Sequence, residues 1–307
     1  MTVKLTDNVS WDGARPTLSV LIPFFRDDPV RLLESLDHER AENVEIVVLD
    51  DGSGDAALTM RAAYQVKGMR LPARLVALSI NEGRSKGRNR LADNARGKRL
   101  LFLDSDMLPD GPKILRTYLD LIEREAPAVA FGGFSLDQAP RRREHALHRA
   151  MALKSDCAPV EVRRAEPEKH VFTSNLLVRR DVFETEVFDE SFSGWGWEDV
   201  EWAMRVSKRY PIVHLANTAT HLGLDAAGAM AAKYEQSAEN FARVVAGHHE
   251  IVSRYPSYKV AKALKPMPLR NVWRPALKGI ALTDFAPIPM RALAMRLYRA
   301  ALYAEAV

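Results

Sequence analysis

Arg99-Leu100-Leu101-Phe102-Leu103-Asp104-Ser105-Asp106 is the stretch that decides the fold. Its four consecutive apolar residues are too few for a helix and show no polar alternation. They read as a strand buried on both faces. The run ends abruptly in two acids one residue apart. The same pattern recurs upstream. Leu18-Ser19-Val20-Leu21-Ile22 meets a loop at Pro23, and Val44-Glu45-Ile46-Val47-Val48-Leu49 ends in Asp50-Asp51-Gly52-Ser53-Gly54-Asp55. Arg74-Leu75-Val76-Ala77-Leu78 is another such run. Asp28 as cap and Pro29 at the first turn predict a helix running toward Arg40, and helices are expected over about 55–67, 84–96 and 110–125. Buried strands spaced by helices predict an α/β fold: a mostly parallel central sheet flanked by helices. Such sheets bind ligands beyond the carboxyl ends of their strands. That rule aligns Pro23, Asp50, Asp51, Asn81 and Asp104 to Asp106 along one rim.

The second half is less regular. Strands are expected over 128–134 and 171–178, a helix over 199–209, and a short strand with its exit loop between His214 and His221. No internal repeat or low-complexity linker divides the chain, so one catalytic domain is expected over 1–257. With 307 residues, 47% apolar and 27% charged, a sizeable core is assured and disorder is excluded. A single cysteine, Cys157, excludes a disulfide scaffold and fits a reducing, cytoplasmic setting. The opening MTVKLTDNVS lacks the apolar core of a secretory signal, and no run reaches the eighteen or so apolar residues of a membrane span. A soluble enzyme is therefore expected.

The formal charge of +4 is unevenly spread. Residues 258–307 hold nine Lys or Arg against Asp284 and Glu305, which leaves the preceding 257 residues slightly acidic. The basic character sits in the tail, which argues against a diffuse nucleic-acid surface. Residues 290–303 form an expected helix with Met290, Leu293 and Leu297 on one side. Such a basic helical extension suits peripheral attachment to anionic lipid at the inner face of the cytoplasmic membrane. It equally suits packing on its own domain or on a second subunit in a homodimer.

Three loops carry chemistry. Asp104-Ser105-Asp106 offers paired carboxylates, which suit a hard divalent cation that clamps a diphosphate, or simply a solvated turn before Pro109. Asp50 or Asp51 could accept from a uracil ring N–H or cap the next helix. The helix opened by Asn81-Glu82-Gly83-Arg84-Ser85-Lys86-Gly87-Arg88 begins with cations where the macrodipole prefers acids, an arrangement tolerable if a phosphate sits nearby. In Gly194-Trp195-Gly196-Trp197-Glu198-Asp199, glycines let indoles form a wall against a sugar ring, beside carboxylates able to accept a hydroxyl proton. Core packing of the indoles and helix-start acids is the competing reading.

Together these strings resemble a family 2, GT-A-fold glycosyltransferase. The series runs in order from Ser19-Val20-Leu21-Ile22-Pro23 through Leu49-Asp50-Asp51-Gly52-Ser53, Asn81-x-Gly83 with Arg88-Asn89, and Phe102 to Asp106. It continues through Ser174 to Arg180 and Trp195 to Asp199, and reaches His221, covering about 17–225. The Gly-Trp-Gly-Trp-Glu-Asp segment looks most like that of galactosyl- and N-acetylhexosaminyl-transferases, including bacterial polysaccharide synthases. The resemblance implies inverting transfer from a UDP-sugar with Mn²⁺ or Mg²⁺, onto a glycan or a lipid-linked acceptor. Pro23, Phe24, Asp51 and Arg88 would then line the nucleotide pocket, with Asp50 a second candidate and Lys86 a further cation for the diphosphate. Asp104 and Ser105 would meet the ribose or sugar, with Trp195 and Trp197 beside it. Asp106 and His221 would bind the metal, His214 being better suited to a structural role. Asp199 would be the general base and Glu198 would orient donor or acceptor. A sugar-nucleotide nucleotidyltransferase shares the plan but does not need the Trp-rich segment, and a catalytically silent sugar- or partner-binding module would not need Asp106, Asp199 and His221 together.

Overall fold

The computed structural model describes residues 2–307. The chain begins β1 (Val3–Asp7), β2 (Leu18–Phe24), α1 (Val30–His38), β3 (Val44–Asp50), α2 (Ala56–Gly68), β4 (Ala73–Leu78), α3 (Arg84–Asp93) and β5 (Arg99–Leu103). It continues with β6 (Met107–Pro109), α4 (Ile114–Glu125), β7 (Val129–Phe131), β8 (Phe134–Ser135), α5 (Ala146–Ala152), α6 (Val160–Ala165), β9 (Asn175–Arg179) and α7 (Arg180–Thr185). Then follow α8 (Glu198–Ser207), β10 (Ile212–His214), β11 (Ala219–His221), α9 (Ala227–Val252), α10 (Pro256–Leu264), α11 (Arg270–Leu282) and α12 (Ile288–Tyr303).

Eight strands form the main sheet in the order β1-β4-β3-β2-β5-β9-β7-β10. Within it β1 and β9 run against the other six, so the sheet is mostly parallel. Alternation along the strands sets the layers. Leu18, Val20, Ile22 and Phe24 of β2, with Val44, Ile46 and Val48 of β3, face one core with α1, α2 and α4. Leu21, Val47 and Leu49 face the other, with residues of α3, α7 and α8. Helices on both faces are what doubly buried strands require.

The structure departs from the sequence expectations where short elements or glycines intervene. The strand expected over 128–134 breaks at Gly132-Gly133, where Gly133 adopts φ +104°, so that β7 joins the main sheet and β8 a small one. That second sheet, β6-β11-β8, is built from strands of two or three residues. Pro29 takes the cap position of α1, while Asp28 Oδ1 still accepts the Val30 N–H at 3.0 Å. Largely exposed β1 adds an edge strand, with Val3 opposite Leu78.

Beyond α8 the chain is helical. Ala292, Met295 and Tyr298 of α12 pack with Met230, Ala231 and Tyr234 of α9 and with Leu147 and Met151 of α5. Tyr303 enters a further cluster with Phe192, Met204, Phe241 and Tyr258. The expected stripe of Met290, Leu293 and Leu297 lies on the opposite side of α12: Met290 and Leu293 are exposed and Leu297 is half-buried. The Tyr303 hydroxyl accepts from Trp197 Nε1 at 3.0 Å and lies 2.7 Å from Ser237 Oγ. Tyr303→Phe therefore leaves the Trp197 indole N–H without a partner and Ser237 Oγ with the Tyr234 carbonyl alone, and should cost about 1–3 kcal/mol in urea unfolding. An unchanged midpoint would remove this hydroxyl from the forces that tie α12 to the loop that carries Trp197. No helix among the described residues is long and apolar enough to cross a membrane.

Candidate active site

The small sheet brings distant residues together. β6 leaves the Asp104-Ser105-Asp106 loop and pairs antiparallel with β11, His221 lying opposite Met107. His221 Nε2 thereby comes to 3.1 Å from Asp106 Oδ2, across 115 positions of sequence. Burial alone would raise Asp106, but the hydrogen bond and charge of His221 hold its carboxyl below the ordinary value. Burial opposes His221 protonation, and Asp106 outweighs it, raising the imidazole. Gly223 packs so closely that any Cβ there would fall on the Asp106 carboxylate. His148 stacks edge-on to His221 with ring centroids 6.0 Å apart, and burial pushes it down to about 4, so it stays neutral at pH 7. A cleft of about 260 Å³ opens here, lined by Asp27, Arg31, Ser105, Asp106 and Gly223. Ser105 is buried, and Asp27 is raised by burial and by the charges of Asp106 and Asp104.

His214, the rival histidine, is 1% exposed. Its Nδ1 lies 3.1 Å from Arg163 Nη1 and its Nε2 lies 3.1 Å from the Pro167 carbonyl. It is a structural histidine, held neutral by burial, which pushes it down to about 4.

The Gly-Trp-Gly-Trp segment turns through three positive φ values, at Gly194, Gly196 and Trp197. Asn240 of α9 clamps it by donating to the carbonyls of Ser193 and Gly196, both at 2.9 Å. The turn places Glu198 and Asp199 in the first turn of α8, where the helix dipole favours acids. Glu198 is buried and ion-paired to Arg84, whose Nη2 also lies 4.0 Å from Asp104 Oδ2. Burial would raise Glu198; Arg84 and Arg88 outweigh it and hold it low. Asp199 is pushed up to about 7 by burial and by the neighbouring Glu198 charge. One carboxyl is thus fixed as an anion while its neighbour titrates near neutrality.

Several expected nucleotide residues sit elsewhere. The Trp197 indole is not free to form a wall: it packs on Phe241 at 4.9 Å and bonds Tyr303, anchoring the loop to the C-terminal helices. Trp195, half-buried, packs edge-on to Tyr234 against the cluster of α5, α9 and α12. Phe24 is 2% exposed in the core because it shares the inward alternation of Val20 and Ile22, whereas Pro23 is half-buried at the rim. Asp50 is buried and satisfied by the Ser53 N–H of its own turn and by the Thr59 hydroxyl of α2. Asp51 accepts from Asn81 Nδ2 and from the N–H groups of Glu82 and Gly83, and burial pushes it up to about 6. Directly after them Gly52, at φ +69°, leaves no room for a Cβ against the Ile80–Asn81 peptide.

The basic helix start resolves by helical geometry. Arg84 and Arg88 lie four residues apart on one face of α3, and Lys86 falls on the exposed opposite face. Arg88 is 2% exposed and bonds Asp104 at 2.6 Å, so it positions that acid instead of reaching solvent. The half-exposed cation facing the cleft is Arg84. Its spacing with Arg88 was the signal available in the sequence.

Comparison with known proteins agrees with this architecture. The model of the family "Glycosyl transferase family 2" matches residues 19–186, from β2 to the end of α7. Validoxylamine A glucosyltransferase of Streptomyces hygroscopicus subsp. limoneus is 29% identical over 223 residues, 62% of this chain and 48% of its own length. The chain spans about half or less of the length of the curated relatives it matches. Among solved structures, mannosyltransferase PcManGT from Pyrobaculum calidifontis, in complex with GDP-Man and Mn²⁺, superposes with a TM-score of 0.57 at 16% identity. The match covers 96% of this chain and 90% of that one. S. aureus TarS 1–349 in complex with UDP gives a TM-score of 0.50 at 18% identity, covering 94% and 90%. These neighbours share the GT-A fold, and with more than half of its length matched by the family model the chain belongs to glycosyltransferase family 2.

Proposed function

We propose that this protein transfers a hexose or N-acetylhexosamine from a UDP-sugar to a hydroxyl of a glycan or lipid-linked acceptor, with inversion, in bacterial polysaccharide biosynthesis. The observation that carries this reading is Arg84, which bridges Glu198 at the start of α8 and the Asp104 loop. It joins the acidic helix start and the Asp106–His221 pair in one site. In this reading residues 1–257 are the catalytic domain and 258–307 its basic extension.

Asp106 and His221 fit a divalent cation such as Mn²⁺ or Mg²⁺. Their facing atoms are 3.1 Å apart, about the separation of adjacent ligands at roughly 2.1 Å from an octahedral ion, and Gly223 leaves their approach clear. A bound cation would neutralise charge on the leaving diphosphate. Arg84 adds a positive charge at the same rim, and Asp51 and Pro23 border the nucleotide side. Asp199, titrating near neutrality, removes the proton from the incoming hydroxyl. Glu198 is buried and held by Arg84, so it orients that guanidinium and is not poised as a nucleophile. One available carboxylate fits a single displacement and hence inversion.

The neighbour structures hold UDP in one case and GDP-Man with Mn²⁺ in another, so the donor is tested directly. Incubation with a panel of UDP-sugars and GDP-mannose, with Mn²⁺ present, should release UDP from one UDP-sugar and nothing from GDP-mannose. Turnover of GDP-mannose alone would overturn the donor assignment, and turnover of none would overturn the activity.

A further inference from the structure

The α11–α12 hairpin turns a second apolar face outward, away from the one it packs with. The cations of α11, Arg270, Arg274 and Lys278, lie along the side that meets the rest of the protein, and are consumed there. Arg274 pairs with Glu305 at 3.0 Å, Arg270 reaches the same carboxylate at 4.0 Å, and Lys278 pairs with Glu235 at 2.7 Å. Leu277 and Ala281 pack inward on the α5, α9 and α12 cluster, but the rest of its apolar stripe faces outward. Val272, Ala276 and Ile280, four residues apart and so on one stripe, are all exposed, and of the whole helix Ala281 alone is buried. The end of α11 adds Leu282, the connecting loop adds Phe285, 94% exposed, and α12 adds Met290 and Leu293. Among the described residues, eight of the nineteen exposed large apolar side chains fall between Met267 and Leu293. Monomeric proteins rarely leave such a patch without a partner.

We propose that the outward face of this hairpin lies in the interface of an anionic lipid bilayer, with Ile280, Leu282, Phe285, Met290 and Leu293 at its tip inserted among the headgroups. Charge complementarity selects that occupant. The segment carries nine cations against two acids, and Lys259, Lys262 and Arg296 are exposed with no carboxylate within ion-pair distance among the described residues. Each such cation near an anionic surface adds attraction, while a second copy of the same +7 segment would meet repulsion. The face α12 uses for folding is the opposite one, through Ala292, Met295 and Tyr298, so insertion needs no rearrangement. This inference goes beyond the catalytic reading and stands on the hairpin alone.

The test is flotation of the full chain with vesicles of phosphatidylglycerol and phosphatidylcholine, or phosphatidylcholine alone. Wild-type protein should float with the anionic vesicles, and high salt should weaken the association. The triple variant I280S/F285S/L293S, altered only at exposed positions, should bind tenfold or more weakly while melting at the wild-type temperature. Three results would overturn the proposal: no flotation with anionic vesicles, equal flotation of wild type and variant, or a wild-type dimer in light scattering that the variant converts to monomer. None of these readouts depends on the donor or on turnover, so a failure here is distinct from a failure of the proposed reaction.

Discussion

Asp199→Asn should lower turnover by about 10²–10⁴ while UDP binding survives, the loss expected when a general base is removed from an otherwise intact site. Asparagine keeps the volume and the acceptor oxygen that meets the Val200 N–H at 2.8 Å, so the start of α8 stays in place. The pH profile carries the same information. Because burial and Glu198 push Asp199 up to about 7, the wild-type kcat/KM should rise with pH through about 7 and level off above it. The sign for stability is opposite. A carboxyl raised in the folded state binds its proton more tightly there than in the unfolded chain, so its contribution to stability is lost as pH rises from its ordinary value through about 7. Asp199→Asn, which carries no charge to bury, should therefore match or exceed the wild-type melting temperature at pH 8 while being nearly inactive. Unchanged turnover would remove Asp199 from the role. Collapse of UDP binding together with turnover would make it a structural acid.

The residues that identify the fold were legible because they obey short-range rules. Doubly buried strands such as Leu18 to Ile22 and Arg99 to Leu103 announce themselves by apolar runs, and their acidic ends fall on one rim because parallel strands share a direction. Pairing between distant segments follows no such rule, and Asp106 and His221 were brought together by the family resemblance alone. The three-residue strands β6 and β11 are too short to show a pattern, yet their register alone sets His221 against Asp106. Side-chain direction was the second obstacle. Phe24 and Pro23 are adjacent at a strand end, and the period of two sends the first into the core and leaves the second at the rim. Arg84, Lys86 and Arg88 look equivalent as a basic string. The 3.6-residue turn makes the first a cleft residue, the second a solvated one and the third a buried partner of Asp104. Trp197 shows the limit of composition. Its indole suits a sugar face, but Phe241 and Tyr303, 44 and 106 residues away, draw it into a packed cluster.

Asp106→Ala should abolish the metal dependence of UDP binding measured by calorimetry, because it removes one of the two protein groups proposed to hold the cation. The effect on turnover should be comparable to the loss of Asp199, since leaving-group charge would then face Arg84 alone. The sharper variant is Gly223→Ala. It deletes no ligand and alters no charge, but its methyl group falls on the Asp106 carboxylate and close to His221 Nε2. Both backbone neighbours of this site are fixed: β11 is paired through His221, and the Leu222 N–H donates to the Asp106 carbonyl at 2.9 Å. The carboxylate must therefore rotate away from the imidazole, and metal-dependent UDP affinity should fall at least tenfold with the fold retained. Persistence of full metal-dependent affinity in both variants would place the cation on other groups, with Asp27, which lines the same cleft as Asp106, and Asp104 of the same loop the next to be substituted.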